Sequence, residues 1–197
     1  TTGDAGETQL AQDTDSLNGK ILRINKDGSV PEDNPFGNAV YSYGHRNPQG
    51  LAWDEEGRLW ATEHGPSGAQ SGFDEINLIR SGQNYGWPEI RGAEEQEGMV
   101  SPVIQSGADD TWAPAGAAVF EDSIFFAGLR GSSLYQVDIN GEEVVNLRAH
   151  FREEFGRLRA VRVGPDGYLY ITTSNTDGRG DPREGDDKLI RVDPEIF

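Results

Sequence analysis

The feature that most constrains the fold is a strand–turn–strand unit that recurs along the chain. In one copy, a strand at residues 51–53 is followed by turn residues 54–57 and a second strand over residues 58–62. Further copies lie at residues 118–127 and 161–172. Each copy has the alternating pattern of a strand on both sides of a turn rich in Gly, Asp or Pro, which is typical of a β-hairpin.

Each hairpin leads through a polar loop into a third predicted strand, at residues 74–79, 133–137 and 187–192, and a comparable strand at residues 19–24 follows residues 1–4. Equivalent points recur about every fifty residues, the range of propeller blades. We therefore predict an all-β fold, a β-propeller of four-stranded antiparallel blades. Almost no helix is expected, apart from one short helical turn near residues 148–154.

Residues 1–197 are predicted to form one partial propeller domain of about three and a half blades, whose first copy lacks its leading strands. A propeller is stabilised because each blade packs against two neighbours, so an open ring would expose two apolar blade faces. We expect missing upstream blades, or another chain, to cover these faces.

Composition supports this fold and excludes several partners. The 26 Gly and 10 Pro supply turn residues for many short strands. The net charge of −17 argues against nucleic acid or an anionic membrane as a partner. The chain has no cysteine and no apolar run of membrane-spanning length. Disulfides, thiolate metal sites and a membrane span are therefore not expected.

Arginine-containing loops are the first candidate site. Corresponding loops of a propeller emerge on the same side of the ring, and the predicted loops at residues 44–50, 63–66, 129–131 and 157–159 hold most of the unusual polar groups. Guanidinium groups bind carboxylates bidentately, so arginines that converge on one mouth would bind an anion with several carboxylates. The alternative is that these arginines are scattered surface charges.

Calcium is the second candidate ligand. The compact loop His64-Gly65-Pro66 has carbonyls suited to a hard cation, and Asp74 and Glu75 follow shortly after. The Gly- and Asp-rich segment at residues 175–187 is either a calcium loop or a solvated loop with internal Asx-turns. The three histidines are far apart in the sequence, which argues against a His-rich transition-metal site. No nucleophile elbow or phosphate-binding glycine motif is present.

The sequence Tyr-Gly-His-Arg-Asn-Pro-Gln-Gly-Leu-Ala at residues 43–52 resembles the signature of the soluble glucose/sorbosone dehydrogenase family. The resemblance continues through residues 63–66, 74–79, 82–88, 112–116, 129–131, 157–159 and 175–187, nearly the whole chain. Members of this family are periplasmic or secreted six-bladed propellers that use pyrroloquinoline quinone (PQQ) and calcium. The resemblance implies the same fold, location and cofactors here.

The resemblance also implies roles for individual residues. The residues that would contact the quinone or lie beside it are Arg46, Asn47, Gln49 and His64. The residues that would line its pocket are Thr111, Ala115 and Gly116. The residues that would pair with its carboxylates are Arg130, Arg157 and Arg159. The carbonyls of Gly65 and Pro66 would hold the calcium that polarises the quinone. Glu75 and the carbonyl of Tyr85 would serve a second, structural calcium. Arg130 stands where some members carry lysine.

The implied function is that of a quinoprotein oxidoreductase, which oxidises an aldose sugar to its lactone and passes electrons to a separate acceptor. The family's catalytic base is a histidine in a segment that should lie before Thr1, so no catalytic residue is assigned in this chain. We expect this portion alone to bind part of the cofactor without turnover. The residues leave two alternatives: a non-catalytic, calcium-binding propeller that acts as an interaction module, and a metal-dependent lactonase, which would need inward-facing carboxylates rather than arginines.

Overall fold

A computed structural model describes residues 1–68 and 71–197 and confirms the all-β prediction. The strands are β1 (Lys20–Leu22), β2 (Val40–Tyr43), β3 (Pro48–Trp53), β4 (Leu59–Glu63), β5 (Glu75–Ile79), β6 (Ile104–Gln105), β7 (Pro114–Phe120), β8 (Ser123–Gly128), β9 (Leu134–Asn140), β10 (Glu143–His150), β11 (Leu158–Val163), β12 (Leu169–Thr173) and β13 (Leu189–Val192). Short 3-10 helices lie at Thr8–Ala11 and Pro194–Ile196. No α-helix occurs in these two described ranges.

The strands form four antiparallel sheets whose strands are neighbours in both sequence and space. The orders are β1-β2, β3-β4-β5-β6, β7-β8-β9-β10 and β11-β12-β13. The predicted hairpins are β3–β4, β7–β8 and β11–β12. Thr2 makes an isolated bridge to Lys20 and so lies beside the first sheet. The two middle sheets have the four strands predicted for a propeller blade, whereas the first and last sheets have two and three strands.

None of the outer strands β2, β6 and β10 is among the strands predicted from the sequence. Strand β10 keeps most of its residues exposed or half-buried, and β6 has only two residues. The predicted helical turn near residues 148–154 was wrong, because His150 still pairs with Leu134 at the end of β10. The chain then turns at Phe151 and Glu153, both of which have positive φ.

The core consists of apolar side chains packed between successive sheets. Trp60 from β4 and Phe126 from β8 belong to one cluster, and Phe125 and Ile171 belong to the next. The first strands of neighbouring sheets also approach closely. A Cβ atom at Gly50 would lie 2.4 Å from the Ala115 carbonyl oxygen, so only glycine fits where β3 meets β7.

Large apolar side chains are exposed beside the first sheet and on the other three. The exposed fractions are 59% for Ile24, which follows β1, 61% for Trp53 on β3, 67% for Val145 on β10 and 69% for Leu189 on β13. Trp53 borders a cavity of about 630 Å³ between the first two sheets. Ile24 and Leu189 lie at the two ends of the series of sheets, which agrees with the expectation that further strands cover the end faces; this stays a prediction. Within the described residues, no helix has the length and apolar character needed to cross a membrane.

Candidate functional site

The strand register brings the predicted site loops to one end of the sheets. Pro48 pairs with Glu63 in the second sheet, and Leu158 pairs with Thr173 in the fourth. In the third sheet, Pro114 pairs with Gly128. The start of each first strand therefore lies beside the end of its second strand, and the loops that carry the predicted residues emerge there together.

Each of the three first strands has a register irregularity close to this end. The residues at or inside the irregular positions are Gln49 in β3, Ala115 and Gly116 in β7, and Arg159 in β11. β-Bulges change the direction of side chains and are frequent beside active sites. Four residues assigned to cofactor binding thus share one structural device in three consecutive sheets.

Glu63 holds the loop that contains Arg46 and Asn47. Its carboxylate is buried and accepts hydrogen bonds from the backbone N–H of Arg46 and, at 3.3 Å, of Asn47. The Asn47 side chain in turn accepts a bond from Gln49 at 3.0 Å. Arg46 donates to the Ser67 hydroxyl. The three predicted quinone contacts therefore form one hydrogen-bonded group, although Glu63 itself received no role from the sequence.

His45 is a structural part of this group. Its ring is fully buried, with Nδ1 2.8 Å from Glu63 and Nε2 2.8 Å from the Ser42 hydroxyl. The ring stacks on Tyr85 with a centroid separation of 4.7 Å. Because both ring nitrogens have partners, His45 is placed to support the loop.

Asp74 joins the predicted calcium loop to the segment before β7. One of its oxygens accepts from the backbone N–H of Gly65 at 3.0 Å, and the other accepts from the Ala113 N–H at 2.8 Å. Thr111, predicted to line the pocket, is half-buried in this same segment. Because Asp74 is buried, it holds both loops from the protein interior.

His64 is half-buried beside this loop, and burial lowers the pKa of its imidazole. The nearby Asp74 carboxylate opposes that shift. Within the described part of the chain, His64 Nε2 has no hydrogen-bond partner. A buried polar atom without a partner suits a position that faces a ligand.

The four predicted calcium residues Gly65, Pro66, Glu75 and Tyr85 line one narrow cavity of about 10 Å³, the space of about one water or ion. Burial and the neighbouring Glu63 carboxylate raise the pKa of Glu75 to about 8. Asn77 donates to Glu75 at 3.1 Å, while its own side-chain oxygen has no hydrogen-bond partner in residues 1–68 and 71–197. These oxygen donors fit calcium. No group of three or more His, Cys, Asp or Glu suited to a metal occurs in the described ranges, so an ion here would depend on backbone carbonyls.

The predicted arginines come together at the fourth sheet. Arg157 and Arg159 both donate to the same Asp177 oxygen, at 3.0 and 3.1 Å. Arg130 and Arg157 line one cleft of about 390 Å³. Arg130 also contacts the Ser71 hydroxyl at 3.3 Å, which links this cleft to the loop after β4. The arginines are therefore not scattered over the surface.

The Gly- and Asp-rich segment holds its carboxylates in internal bonds. Asp186 accepts from Asn175 at 3.0 Å and from Lys188 at 2.8 Å. Asp187 accepts from the Asn175 backbone N–H and the Thr176 hydroxyl, both at 2.6 Å. The solvated-loop interpretation therefore suits this segment better than a calcium loop. That Asp177 binds Arg157 and Arg159 is seen only in the hydrogen bonds between these distant parts of the sequence.

Comparisons with known proteins agree with this geometry. The family model described as glucose/sorbosone dehydrogenase matches residues 1–191. Aldose sugar dehydrogenase YliI of Escherichia coli (strain K12) is 33% identical over 98% of this chain and 55% of its own length. Quinoprotein glucose dehydrogenase B of Acinetobacter calcoaceticus is 42% identical over 55% of this chain and 27% of its own.

A solved structure gives the same result. The PQQ-bound aldose sugar dehydrogenase from Streptomyces coelicolor is 46% identical, with a TM-score of 0.90, over 97% of this chain and 56% of that one. The chain thus spans about half the length of the relatives that match nearly all of it. Since the family model, the relatives and the fold agree over nearly all of these residues, the chain belongs to the glucose/sorbosone dehydrogenase family.

Proposed function

We propose that this chain is the C-terminal portion of a periplasmic or secreted quinoprotein oxidoreductase that oxidises an aldose sugar to its lactone with PQQ and calcium. The observation that carries the proposal is the common placement of Gln49, Gly116 and Arg159 at irregular positions of three consecutive first strands. Loops with arginine side chains surround this end of the sheets. Family membership and the PQQ-bound structural relative support the same assignment.

The charges suit the proposed cofactor. PQQ is a tricarboxylate, and carboxylates that leave water must be compensated by partners. Arg130 and Arg157 line one cleft, and Arg159 joins them through Asp177. We assign these arginines to the carboxylates, and Arg46, Asn47 and Gln49 to the quinone. Thr111, Ala115 and Gly116 would line the pocket, with His64 beside the calcium loop.

The metal residues suit calcium. The carbonyls of Gly65 and Pro66 would hold one ion beside the cofactor, and Glu75 with the Tyr85 carbonyl would hold a structural ion. The narrow cavity that all four residues line has space for about one ion, so it would take only one of the two. When bound, PQQ supplies the acceptor for the sugar hydride and calcium supplies a Lewis acid. The chain's own residues orient these groups: Asp74 fixes the Gly65 backbone, and Glu63 fixes the Arg46 loop.

Of the three histidines, none is proposed as the catalytic base. His45 is occupied on both ring nitrogens, and His150 lies on the outer strand β10, bonded to Gln136 at 2.9 Å. His64 lies beside the proposed calcium loop. We therefore propose that the base, and the strands that cover the open sheet faces, come from the remainder of the propeller. The sugar and the electron acceptor are the partners of the complete protein.

The test is a titration of PQQ into the apo form of the complete protein in the presence of calcium. Removing one partner of a desolvated charge pair costs about 2–5 kcal/mol, which is roughly a thirtyfold to several-thousandfold loss of affinity. We expect R159A to fall near the lower limit, because 42% of its side chain is exposed. R46A should also weaken binding.

The matched control is R80A. Arg80 follows β5 at the opposite end of the second sheet, and its side chain is 52% exposed. We expect R80A to bind PQQ like the wild type. The proposal is wrong if the wild type shows no saturable binding, or if R159A and R46A both bind as tightly as R80A. A non-catalytic, calcium-binding interaction module would then be the better assignment.

A further inference from the structure

Asp177 lies between the two arginines that the proposed function assigns to the cofactor carboxylates. Its Oδ2 atom accepts from Arg157 Nε at 3.3 Å and Nη2 at 3.0 Å. The same oxygen accepts from Arg159 Nη2 at 3.1 Å and from the Ser174 hydroxyl at 3.2 Å. Four donor atoms, from the start of β11 and the residue after β12, therefore converge on one carboxylate oxygen.

The second carboxylate oxygen anchors Asp177 to its own loop. Oδ1 accepts from the Arg179 backbone N–H at 2.9 Å. The loop is then held by Asn175, which donates from its backbone to Asp187 at 2.6 Å and from its side chain to Phe155 at 2.9 Å. Asp177 thus stands on a fixed loop rather than on a free surface side chain.

The two guanidinium groups differ in how much freedom this contact leaves them. The Arg157 side chain is 13% exposed and uses two nitrogens on Asp177, with a third 3.5 Å from the Leu129 carbonyl. The Arg159 side chain is 42% exposed and contacts Asp177 through Nη2 only. Its Nε and Nη1 groups have no hydrogen-bond partner among the described residues and stay available to an incoming carboxylate.

We propose that Asp177 is a positioning residue for the anionic cofactor: it holds the Arg157 and Arg159 guanidinium groups side by side before the ligand binds. This inference rests on the proposed function. Two guanidinium groups that share one carboxylate oxygen lie close enough to repel one another, and a long arginine side chain loses conformational freedom when a ligand orders it. A carboxylate between them offsets the repulsion and orders both groups in advance.

Protonation does not release this contact at ordinary pH. The Arg179 backbone N–H and the Arg157 guanidinium lower the pKa of Asp177 to about 2. The arrangement is therefore maintained throughout the pH range of an enzyme assay. Asp177 has no assigned contact with the cofactor, and its effect is exerted through the arginines.

The proposal predicts that D177A weakens PQQ binding in the complete protein, in calcium, by about tenfold, because two side chains must then be ordered by the ligand. D177N should also weaken it, since the amide retains one acceptor oxygen but also places a donor next to the guanidinium groups. Thermal melting of each variant, with PQQ absent, shows whether it is folded.

The matched control is D181N. Asp181 lines the same cleft and is exposed, but it holds neither arginine. D181N removes one negative charge, as D177N does. If only this loss of charge mattered, both variants would bind PQQ as tightly as the wild type or more tightly. Weaker binding by both Asp177 variants, with D181N at or above wild-type affinity, supports the proposal. Unchanged or tighter binding by D177A overturns it.

A ligand-independent measurement separates this inference from the proposed function. The Nε–H proton of Arg157, followed by ¹H–¹⁵N NMR, should exchange with water faster in D177A than in wild type or D181N. If the exchange is unchanged, Asp177 does not hold the guanidinium group and the inference is wrong. If wild type fails to bind PQQ, the proposed function fails, and this role toward the cofactor fails with it.

Discussion

Glu63, Asp74 and Asp177 each connect parts of the chain that are distant in sequence. Glu63 joins β4 to the loop before β3, Asp74 joins the proposed calcium loop to the segment before β7, and Asp177 joins the last loop to β11. A charge-assisted hydrogen bond is stronger than a neutral one, and a partly buried position keeps water from competing. Each carboxylate therefore fixes the positions of neighbouring groups that we propose to bind the ligands.

Glu75 gives a prediction at the residue scale. Without metal, its pKa is raised from 4.5 to about 8, so the folded protein holds a proton that the unfolded chain releases above about pH 4.5. Linkage then requires the stability of the calcium-free protein to fall as pH rises from about 4.5 to about 8. Calcium needs the ionised carboxylate and should remove this loss, because an ion bound only to the folded state stabilises it.

The measurement is the melting temperature of the complete protein across this pH range, with chelator and with calcium, at constant ionic strength. E75A should remove both the pH dependence and the sensitivity to chelator. E56A is the control, because Glu56 is an exposed glutamate on the β3–β4 turn. A wild-type melting temperature that is the same with chelator and with calcium would contradict the proposed site.

At the scale of the strand, β3, β7 and β11 combine irregular pairing with close contact between neighbouring sheets. The Thr62 hydroxyl donates to the Ala115 carbonyl at 2.7 Å and accepts from the Gly50 N–H at 3.0 Å. A Cβ at Gly116 would lie 3.0 Å from the Ala160 Cα. The absence of a side chain at Gly50 and Gly116 thus lets the first strands come together at the site.

We predict that G50A destabilises the protein by about 2–3 kcal/mol, because its Cβ would overlap backbone atoms of β7 that cannot move independently. The control is G57A, in a turn where no atom lies within 4 Å and only the positive φ of +78° opposes a side chain, at about 1 kcal/mol. Urea unfolding of the complete protein compares the two variants. Equal losses of stability in G50A and G57A would mean that β7 leaves room for a Cβ atom at Gly50.

At the scale of the whole molecule, exposed apolar side chains at the two ends of the series of sheets mark where a longer assembly should continue. Ile24 follows the first sheet and Leu189 lies on the last, while Trp53 and Val145 are exposed on the two sheets between them. Exposed apolar patches and open strand edges favour association with other chains. The net charge of −17 opposes non-specific aggregation but does not cover these faces.

We therefore predict that residues 1–197 expressed alone bind a hydrophobic dye and self-associate at micromolar concentration, whereas the complete propeller protein does neither. Fluorescence with anilinonaphthalene sulfonate and sedimentation velocity test this. A monomer that unfolds cooperatively and leaves the dye unbound would show that these faces need no further strands.

The sequence by itself determined the hairpins and the loops between them. The turn at residues 54–57 and the alternation on either side of it are local signals, because side-chain direction in a strand depends only on neighbouring residues. The motif around Arg46 and Asn47 likewise predicted the family and most of the candidate site. The helical turn near residues 148–154 failed because pairing with β9, a tertiary contact, keeps β10 extended through His150.

Tertiary structure decided how these local pieces act together. Nothing near Asp177 in sequence indicates that its carboxylate holds Arg157 and Arg159, which lie 20 and 18 residues away. The strand irregularities at Gln49 and Arg159 depend on pairing with a second strand, and the single cavity beside Glu75 and Tyr85 depends on how the loops pack. Alternation and turn residues report only local conformation, whereas a binding site is made by contacts between distant segments, which exist only after the sheets have packed.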